Sequence, residues 1–406
     1  MPVPAPWPQD IGPDDACAFL FPGTGSGGTP DLRTLTAAGP AARRLAADVA
    51  DAVQEGLPPA APPLRDLLLE RPARYREAAR APGVAQLASY TASVAVDRVL
   101  RASGVTPAYA VGQSFGEIAA LVCAGAFTVT DGARMAAALV EVLARRGRGG
   151  GMGLLEAGED AARDRIRRAA EPDVVVACLN APAATVISGP DGPLEHVLRT
   201  ARATGVRAVR LAVPYLAHHP AMSGADDEWY ELIRPLPQRP LELPVHSPVR
   251  GRAYRDDDDL HRALADCIVR PVRLPATLRA VRAAGATAFA EAGAGDALCQ
   301  CARLTLPGTR TLAPLRAPTR DRSRRLSNPA HRTPSAAAAP LTGPDGDGNA
   351  HHTPPTPANT PTASRPDPRT DGPADGRTTS RADAHTGRTP DGQANRGPDQ
   401  RLRGAS

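Results

Sequence analysis

The chain has 406 residues and a net charge of +5, and every basic side chain is an arginine. Without lysine, a Schiff-base enzyme and a lysine-dependent P-loop nucleotide site are both excluded. The charge is small for 48 basic and 43 acidic residues. No basic stripe alternates with aromatic residues, so we expect no nucleic-acid partner.

Composition also predicts the state of the cysteines, the cellular location and which part of the chain is disordered. The six cysteines form no CxxC pair and have no histidine at metal-ligand spacing, which predicts buried free thiols and no metal site. The first residues lack the pattern of a signal peptide, and no apolar run reaches about 18 residues, so we expect a reduced cytoplasmic location and no membrane span. Residues 317–406 contain no aromatic and only three large aliphatic side chains. That segment is predicted to be a disordered tail.

The predicted elements begin with a strand, ACAFLF, that ends in the glycine-rich loop PGTGSGG. The run AYAVGQS predicts a second strand and turn. Helical periodicity is present over residues 40–56, 86–103 and 131–146, the last with Thr130 as its candidate N-cap. The run RRGRGGG then predicts a break.

Residues 150–212 have a different order of elements. GMGLLEAG, DVVVACLNA, AATVISG and VRAVRLAV are typical of strands, and helices are predicted over residues 160–170 and 192–204. This β-α-β-β-α-β order is ferredoxin-like and predicts a small inserted domain. The chain then returns through VHSPVRG, the strand AFAEAG, and helices over residues 223–234, 258–266 and 275–284. Strands that alternate with helices predict a mostly parallel sheet in the larger domain.

Ser114 lies between two glycines in GQSFG, where a predicted strand meets a predicted helix. The G-x-S-x-G turn exposes a serine hydroxyl above a sheet, and the N–H of the next residue, Phe115, then points to where an oxyanion forms. A serine nucleophile also needs a base. The alternative is a chance match in an ordinary loop.

The wider pattern resembles the acyl-carrier-protein acyltransferases, a family that includes malonyl-CoA:ACP transacylases and the acyltransferase domains of polyketide synthases. GQSFGEIAALVCAGAF is similar to the family's G-H-S-x-G-E motif and Ala-rich helix, and LFPGTGSGG to its first loop. NAPAATVISGP, VPYLAHHPAM, VHSPVRG and FAEAGAGDALCQ are similar to later family landmarks. The resemblance covers residues 16–316 in the family order and leaves out the tail.

The resemblance implies a Ser-His mechanism. It makes Ser114 the acylated nucleophile and His218, 104 residues later, the general acid and base, with His219 as the competing candidate. The family orients its histidine with a main-chain carbonyl, so no aspartate is required. Backbone N–H groups of Phe115 and Thr24 are the implied oxyanion donors.

The resemblance also implies an architecture and partners. An α/β-hydrolase-like large domain would comprise residues 1–149 and 213–316, with a ferredoxin-like small domain at 150–212 and the tail at 317–406. No cofactor is expected to be tightly bound, since a phosphopantetheine arm or coenzyme A carries the acyl thioester. An acyl carrier protein is the expected partner. The basic turn of Arg145, Arg146 and Arg148 either meets that acidic partner or is simply solvated.

Four residues depart from the family pattern. Thr24 replaces a loop glutamine, Gln113 replaces the histidine before the nucleophile, and Cys267 replaces a glutamine near the catalytic histidine. The backbone N–H at position 24 can still donate to an oxyanion, and the neutral amide of Gln113 can still form hydrogen bonds. We therefore expect these two changes to have little effect on catalysis. Apart from these four positions, the specificity segment that runs from Tyr215 to His218 matches neither usual polyketide pattern fully.

The fourth departure is Leu139, which stands where the resemblance places an arginine that binds the free carboxylate of malonyl groups. A leucine offers no cation, so we expect a monocarboxylic, aminoacyl or peptidyl acyl group rather than malonyl; alternatively, Leu139 is only core. Arg134 is expected on another helix face, whereas Arg270 or Arg273 could supply the missing cation. Three functions stay open: transfer between carrier proteins in polyketide biosynthesis, hydrolytic editing of acyl carriers, and ordinary malonyl transfer. A non-catalytic docking module is disfavoured by the intact serine and histidine.

Overall fold

The computed structural model describes residues 11–12, 14–24 and 29–316. The predicted tail, residues 317–406, lies outside the described residues. Within the described part the strands are β1 (Cys17–Phe21), β2 (Pro107–Gly112), β3 (Gly150–Leu155), β4 (Val175–Ala181), β5 (Ala184–Pro190), β6 (Ala208–Arg210), β7 (Val245–Ser247), β8 (Arg252–Ala253), β9 (Val272–Arg273), β10 (Ala288–Glu291) and β11 (Arg310–Leu312).

The helices frame these strands. They are α1 (Arg33–Thr36), α2 (Pro40–Glu55), α3 (Tyr75–Ala78), α4 (Val84–Ala102), α5 (Gly116–Cys123), α6 (Val129–Arg146), α7 (Glu159–Arg168), α8 (Asp191–Ala203), α9 (Ala225–Ile233), α10 (Leu260–Asp266), α11 (Leu274–Ala283) and α12 (Ala297–Thr305). Of the residues described, no helix is long and apolar enough to cross a membrane.

The first sheet has the strand order β11-β10-β1-β2-β7-β8. Its strands run parallel except at the β7–β8 edge. All five residues of β1 are buried, with Phe19 and Phe21 in one hydrophobic cluster and Ala18 and Leu20 in another. The two clusters cover opposite faces of the sheet, which explains why β1 is an unbroken apolar run. This confirms the expected mixed α/β architecture.

The second sheet has the strand order β6-β3-β5-β4-β9. The pairs among its first four strands are antiparallel, and β4 pairs with β9 in parallel. Leu155 and Ile187 pack on one face with Leu194 and Leu198 of α8. Met152 on β3 belongs instead to the cluster that contains β1, so the other face looks toward the first sheet.

The structure corrects the predicted start of α6. The helix begins at Val129, and Thr128 rather than Thr130 is its N-cap, with its Oγ1 accepting a hydrogen bond of 3.0 Å from the Asp131 N–H. Thr130 lies within the first turn, where its hydroxyl donates to the Ala52 carbonyl. Both threonines precede the apolar stripe, so the pattern alone did not separate them.

Candidate active site

The turn between β2 and α5 holds Ser114 in the left-handed region, with φ at 56°. A side chain at Gly112 would overlap the backbone of Glu117, and one at Gly116 would overlap the Phe21 carbonyl. The two glycines are therefore needed for the close approach of strand, turn and helix. A non-glycine residue with this backbone conformation is strained, and such strain concentrates at functional sites.

His218 faces this serine. Its Nε2 lies 2.7 Å from Ser114 Oγ, and its Nδ1 lies 3.0 Å from the Arg270 carbonyl oxygen. Since a carbonyl can only accept, Nδ1–H is the donor, and Nε2 is left to accept the serine proton. Burial lowers the pKa of His218 to about 4, against the opposing effect of the Arg270 and Cys267 carbonyls. The imidazole is therefore neutral at pH 7 and fixed in the tautomer that a general base requires.

The neighbouring His219 is placed differently. Its Nε2 lies 2.9 Å from the Asp173 carbonyl, to which it donates, and its Nδ1 accepts a 3.0 Å hydrogen bond from the Ala221 N–H. Both ring nitrogens are thus used by the backbone, and the residue does not line the cleft. The structure brings His218, and not His219, to Ser114.

The predicted oxyanion donors lie at the same cleft. Phe115 and Thr24 both line it, and no described residue accepts a hydrogen bond from either backbone N–H. Gln113 also lines the cleft, where its Nε2 donates a 2.6 Å hydrogen bond to Asn180 Oδ1 on β4. The residue beside the nucleophile therefore ties the first sheet to the second.

The cleft has a volume of about 770 Å³ and lies between the two sheets. Its lining includes Leu139, Tyr215 and Cys267, the three remaining residues predicted for the pocket. Leu139 is 6% exposed, and the Tyr215 hydroxyl accepts a 3.2 Å hydrogen bond from Gln86.

Arginines are nearly absent from the cleft. Arg134 pairs with Asp131 at 2.9 Å, and neither Arg270 nor Arg273 lines the cleft. In the part of the chain that the structure describes, Arg207 is the one arginine in the lining. It pairs with Glu156 at 2.6 Å and is 73% exposed, so it lies at the rim rather than inside.

Glu117 is a further residue of the site that the sequence pattern did not identify. Its carboxyl group is fully buried behind the serine turn, where Ser247 Oγ donates to it at 3.0 Å and the Tyr254 hydroxyl donates to its other oxygen. Burial raises the pKa of Glu117 to about 7 despite these bonds. An acidic residue in the otherwise apolar helix GEIAALVC was the sequence signal for a buried and partnered carboxyl.

Known proteins share this fold. A mixed α/β fold with two sheets is the fold of solved malonyl-CoA:ACP transacylases and polyketide synthase acyltransferase domains. The chain belongs to the acyl transferase domain family, which matches residues 18–357. The malonyl-CoA:acyl carrier protein transacylase of Xanthomonas oryzae is 28% identical with a TM-score of 0.67, and the similarity covers 75% of this chain and 95% of that one.

Three further relatives, one solved structure and two sequences, are named for polyketide synthases or polyketide biosynthesis. The acyltransferase domain from the second module of the salinomycin polyketide synthase is 28% identical with a TM-score of 0.63, over 75% of this chain and 69% of that one. Spectinabilin polyketide synthase system protein NorA' of Streptomyces orinoci is 34% identical over 227 residues, which is 55% of this chain and 6% of the relative. Polyketide biosynthesis protein ThaF of Burkholderia thailandensis is 33% identical over 50% of this chain and 17% of its own. The chain therefore spans only a small part of these curated relatives.

Proposed function

We propose that this protein transfers an acyl group from a thioester, through an acyl-Ser114 ester, to the phosphopantetheine thiol of an acyl carrier protein in polyketide biosynthesis. The observation that carries the proposal is the alignment of Ser114 Oγ, His218 and the Arg270 carbonyl, with distances of 2.7 and 3.0 Å, at the cleft of an acyltransferase fold. The names of the relatives support the polyketide setting.

The first half-reaction follows from the geometry. Neutral His218 takes the hydroxyl proton of Ser114 at Nε2 while Oγ bonds to the thioester carbonyl carbon. The Phe115 and Thr24 N–H groups are the proposed donors to the carbonyl oxygen as it gains negative charge. When the carbon–sulfur bond breaks, its electron pair leaves with the sulfur, and His218 gives the proton to this thiolate, which departs as the free thiol.

The second half-reaction reverses these steps with another thiol. His218 takes the proton of the carrier thiol, and the sulfur attacks the Ser114 ester. The ester carbon–oxygen bond then breaks, and Ser114 regains its proton from His218. The positive charge that His218 acquires in each step is stabilised by its bond to the Arg270 carbonyl, so no carboxylate is needed.

Malonyl is not the preferred acyl group in this proposal. Its carboxylate would leave water and face Leu139, with no arginine inside the described cleft to replace its hydration. The paired and exposed Arg207 stands at the rim.

The proposal includes a two-domain organisation. The strand order β6-β3-β5-β4 with antiparallel pairing supports a ferredoxin-like small domain at residues 150–212, inserted into an α/β-hydrolase-like domain at 1–149 and 213–316. Strand β9 joins that sheet from the larger segment. The carrier would approach the cleft between the two sheets; Arg145 and Arg146 already pair with Glu228.

Intact-mass measurement tests the proposal. The full chain is incubated with a panel of acyl-pantetheine thioesters and then with a holo carrier protein. The expected result is an acyl adduct that is absent in Ser114→Ala and that moves to the carrier. Persistent loss of the adduct to water, at a rate that the carrier does not change, would identify a hydrolase instead.

A further inference from the structure

The wall of the cleft near Leu139 is built from apolar side chains. Leu139 and Leu143 of α6, Trp229 of α9, Leu264 of α10 and Met152 of β3 all line it, and all belong to one hydrophobic cluster. Each is less than 10% exposed. The wall is therefore continuous with the core and receives residues from both sides of the cleft.

Among the five side chains of this wall, the indole of Trp229 carries the one N–H or O–H group. Trp229 Nε1–H donates to the Met135 carbonyl at 3.1 Å and is therefore satisfied within the fold. Tyr215 lines the cleft as well; its hydroxyl accepts a hydrogen bond from Gln86, and no described residue accepts the proton of that hydroxyl. The wall itself thus offers contact area and no free N–H or O–H donor.

Formal charge is equally scarce. Among the described residues that line the cleft, the groups charged at pH 7 are Arg207 and Glu156, which pair with each other and have side chains 73% and 48% exposed. An acyl group with a carboxylate therefore meets no unpaired guanidinium inside the cleft. An acyl group with an ammonium meets no unpaired carboxylate there either.

We propose that this wall is the acyl-chain subsite and that it selects an apolar monocarboxylic acyl group, aliphatic or aromatic, over both dicarboxylic and α-aminoacyl groups. This inference rests on the proposed function and narrows its substrate class. Burial of either ion without a partner is unfavourable by enough to slow acylation at least about a hundredfold. Each further methylene buried against the wall should raise kcat/KM about fourfold until the wall is filled.

Matched thioesters test the charge rule. Single-turnover acylation of the full chain is followed by intact mass with butyryl-, 2-aminobutyryl- and malonyl-pantetheine, which have similar size and differ in charge. Acetyl- and hexanoyl-pantetheine extend the series in length. We expect butyryl to react about a hundredfold faster than either charged group, and hexanoyl faster than acetyl.

Substitutions at Leu139 test the location of the subsite. Leu139→Phe should slow hexanoyl more than acetyl, and Leu139→Ala should favour the longer chain. Leu232→Ala is the matched control, since Leu232 is a leucine on α9 that is 51% exposed and outside the cleft lining. It should leave the order of the thioesters unchanged.

The outcomes separate this inference from the proposed function. Equal rates for butyryl and either charged thioester overturn the inference while transfer through Ser114 stands. An unchanged chain-length order in both folded Leu139 variants places the subsite elsewhere and overturns it as well. If no thioester acylates Ser114, the proposed function fails and the inference fails with it. The wild-type panel decides the charge rule even if a Leu139 variant does not fold.

Discussion

The most direct test of how the cleft sets the pKa of His218 is the acylation rate on the acid side of its pH profile. Burial lowers the pKa of this imidazole to about 4, whereas an exposed histidine titrates near 6.5. Only the neutral form can accept the Ser114 proton, so acylation should persist at pH values at which an ordinary histidine is already charged. The physical cause is removal of water from the ring, which disfavours its charged form.

The magnitude is large enough to measure. At pH 5 a group with a pKa of about 4 is about 90% neutral, whereas one with the ordinary value is about 3% neutral. Acylation at pH 5 should therefore keep about nine-tenths of its rate at pH 7, instead of falling about 25-fold. The profile should reach half its plateau near pH 4.

The assay is kcat/KM for acylation by an uncharged thioester, between pH 4 and 8, because this ratio reports groups of the free enzyme. NMR titration of the His218 ring in Ser114→Ala gives the same pKa without chemistry. Loss of the hydroxyl should leave the value low, since burial is the larger cause. An acid midpoint at pH 6 or above in both measurements would refute the reasoning.

The same pKa makes a prediction about stability. The folded-state value lies below the unfolded value, so the contribution of His218 is fully present above pH 6.5 and is lost as the pH falls toward 4. The loss from this one group amounts to about 3 kcal/mol across that window. In denaturant titrations over the same pH range, the free energy of unfolding should fall less for His218→Asn than for the wild type.

The remaining predictions concern the cleft, its supports and the tail. Leu139→Arg should raise acylation by malonyl thioesters relative to acetyl, whereas a tenfold malonyl preference in the wild type would restore the ordinary malonyltransferase interpretation. His218→Ala should slow acylation by several orders of magnitude and His219→Ala should retain it; the reverse pattern in intact mass would exchange their roles. Glu117→Ala should lower the free energy of unfolding by about 2–4 kcal/mol, because two buried hydroxyls lose their acceptor, and urea titration against Glu117→Gln measures this. Deletion of residues 320–406 should leave cooperative melting and transfer intact, as the composition of that segment predicts.

Local signals were sufficient for the parts of the fold that depend on neighbouring residues. The two glycines around Ser114 and the apolar runs beside them predicted a strand, a turn and a helix, and the structure has β2, a left-handed serine and α5 in those places. Most helix bounds were predicted to within two residues because apolar periodicity and glycines mark them. The error at the start of α6 arose where Thr128 and Thr130 offered equivalent caps.

Long-range pairing was beyond reach from the sequence. Strand β9 has only two residues and joins β4 across more than 90 residues of chain, so no local run could predict it. The bond between Gln113 and Asn180 is of the same kind, since Gln113 lies in the turn after β2 of the first sheet and Asn180 on β4 of the second. Short π-helical and 3-10 turns near residues 66–74 were also unpredicted, because their apolar residues follow no sustained period.

The Ser114–His218 pair depends on few residues, whereas the selectivity of the cleft depends on many, and this difference has a physical basis. A proton transfer needs two side chains at hydrogen-bond distance and one acceptor behind them, and here the acceptor is a main-chain carbonyl that any residue supplies. We therefore expect the proposed chemistry to tolerate the departures from the family pattern at Gln113 and Cys267. Acyl-group selectivity cannot be assigned to two or three residues in the same way, because the free energy of burying an acyl group depends on every side chain that replaces its water. In the proposed selectivity, Leu139 excludes a carboxylate only because Leu143, Trp229 and Leu264 line the same cleft and add no charge of their own.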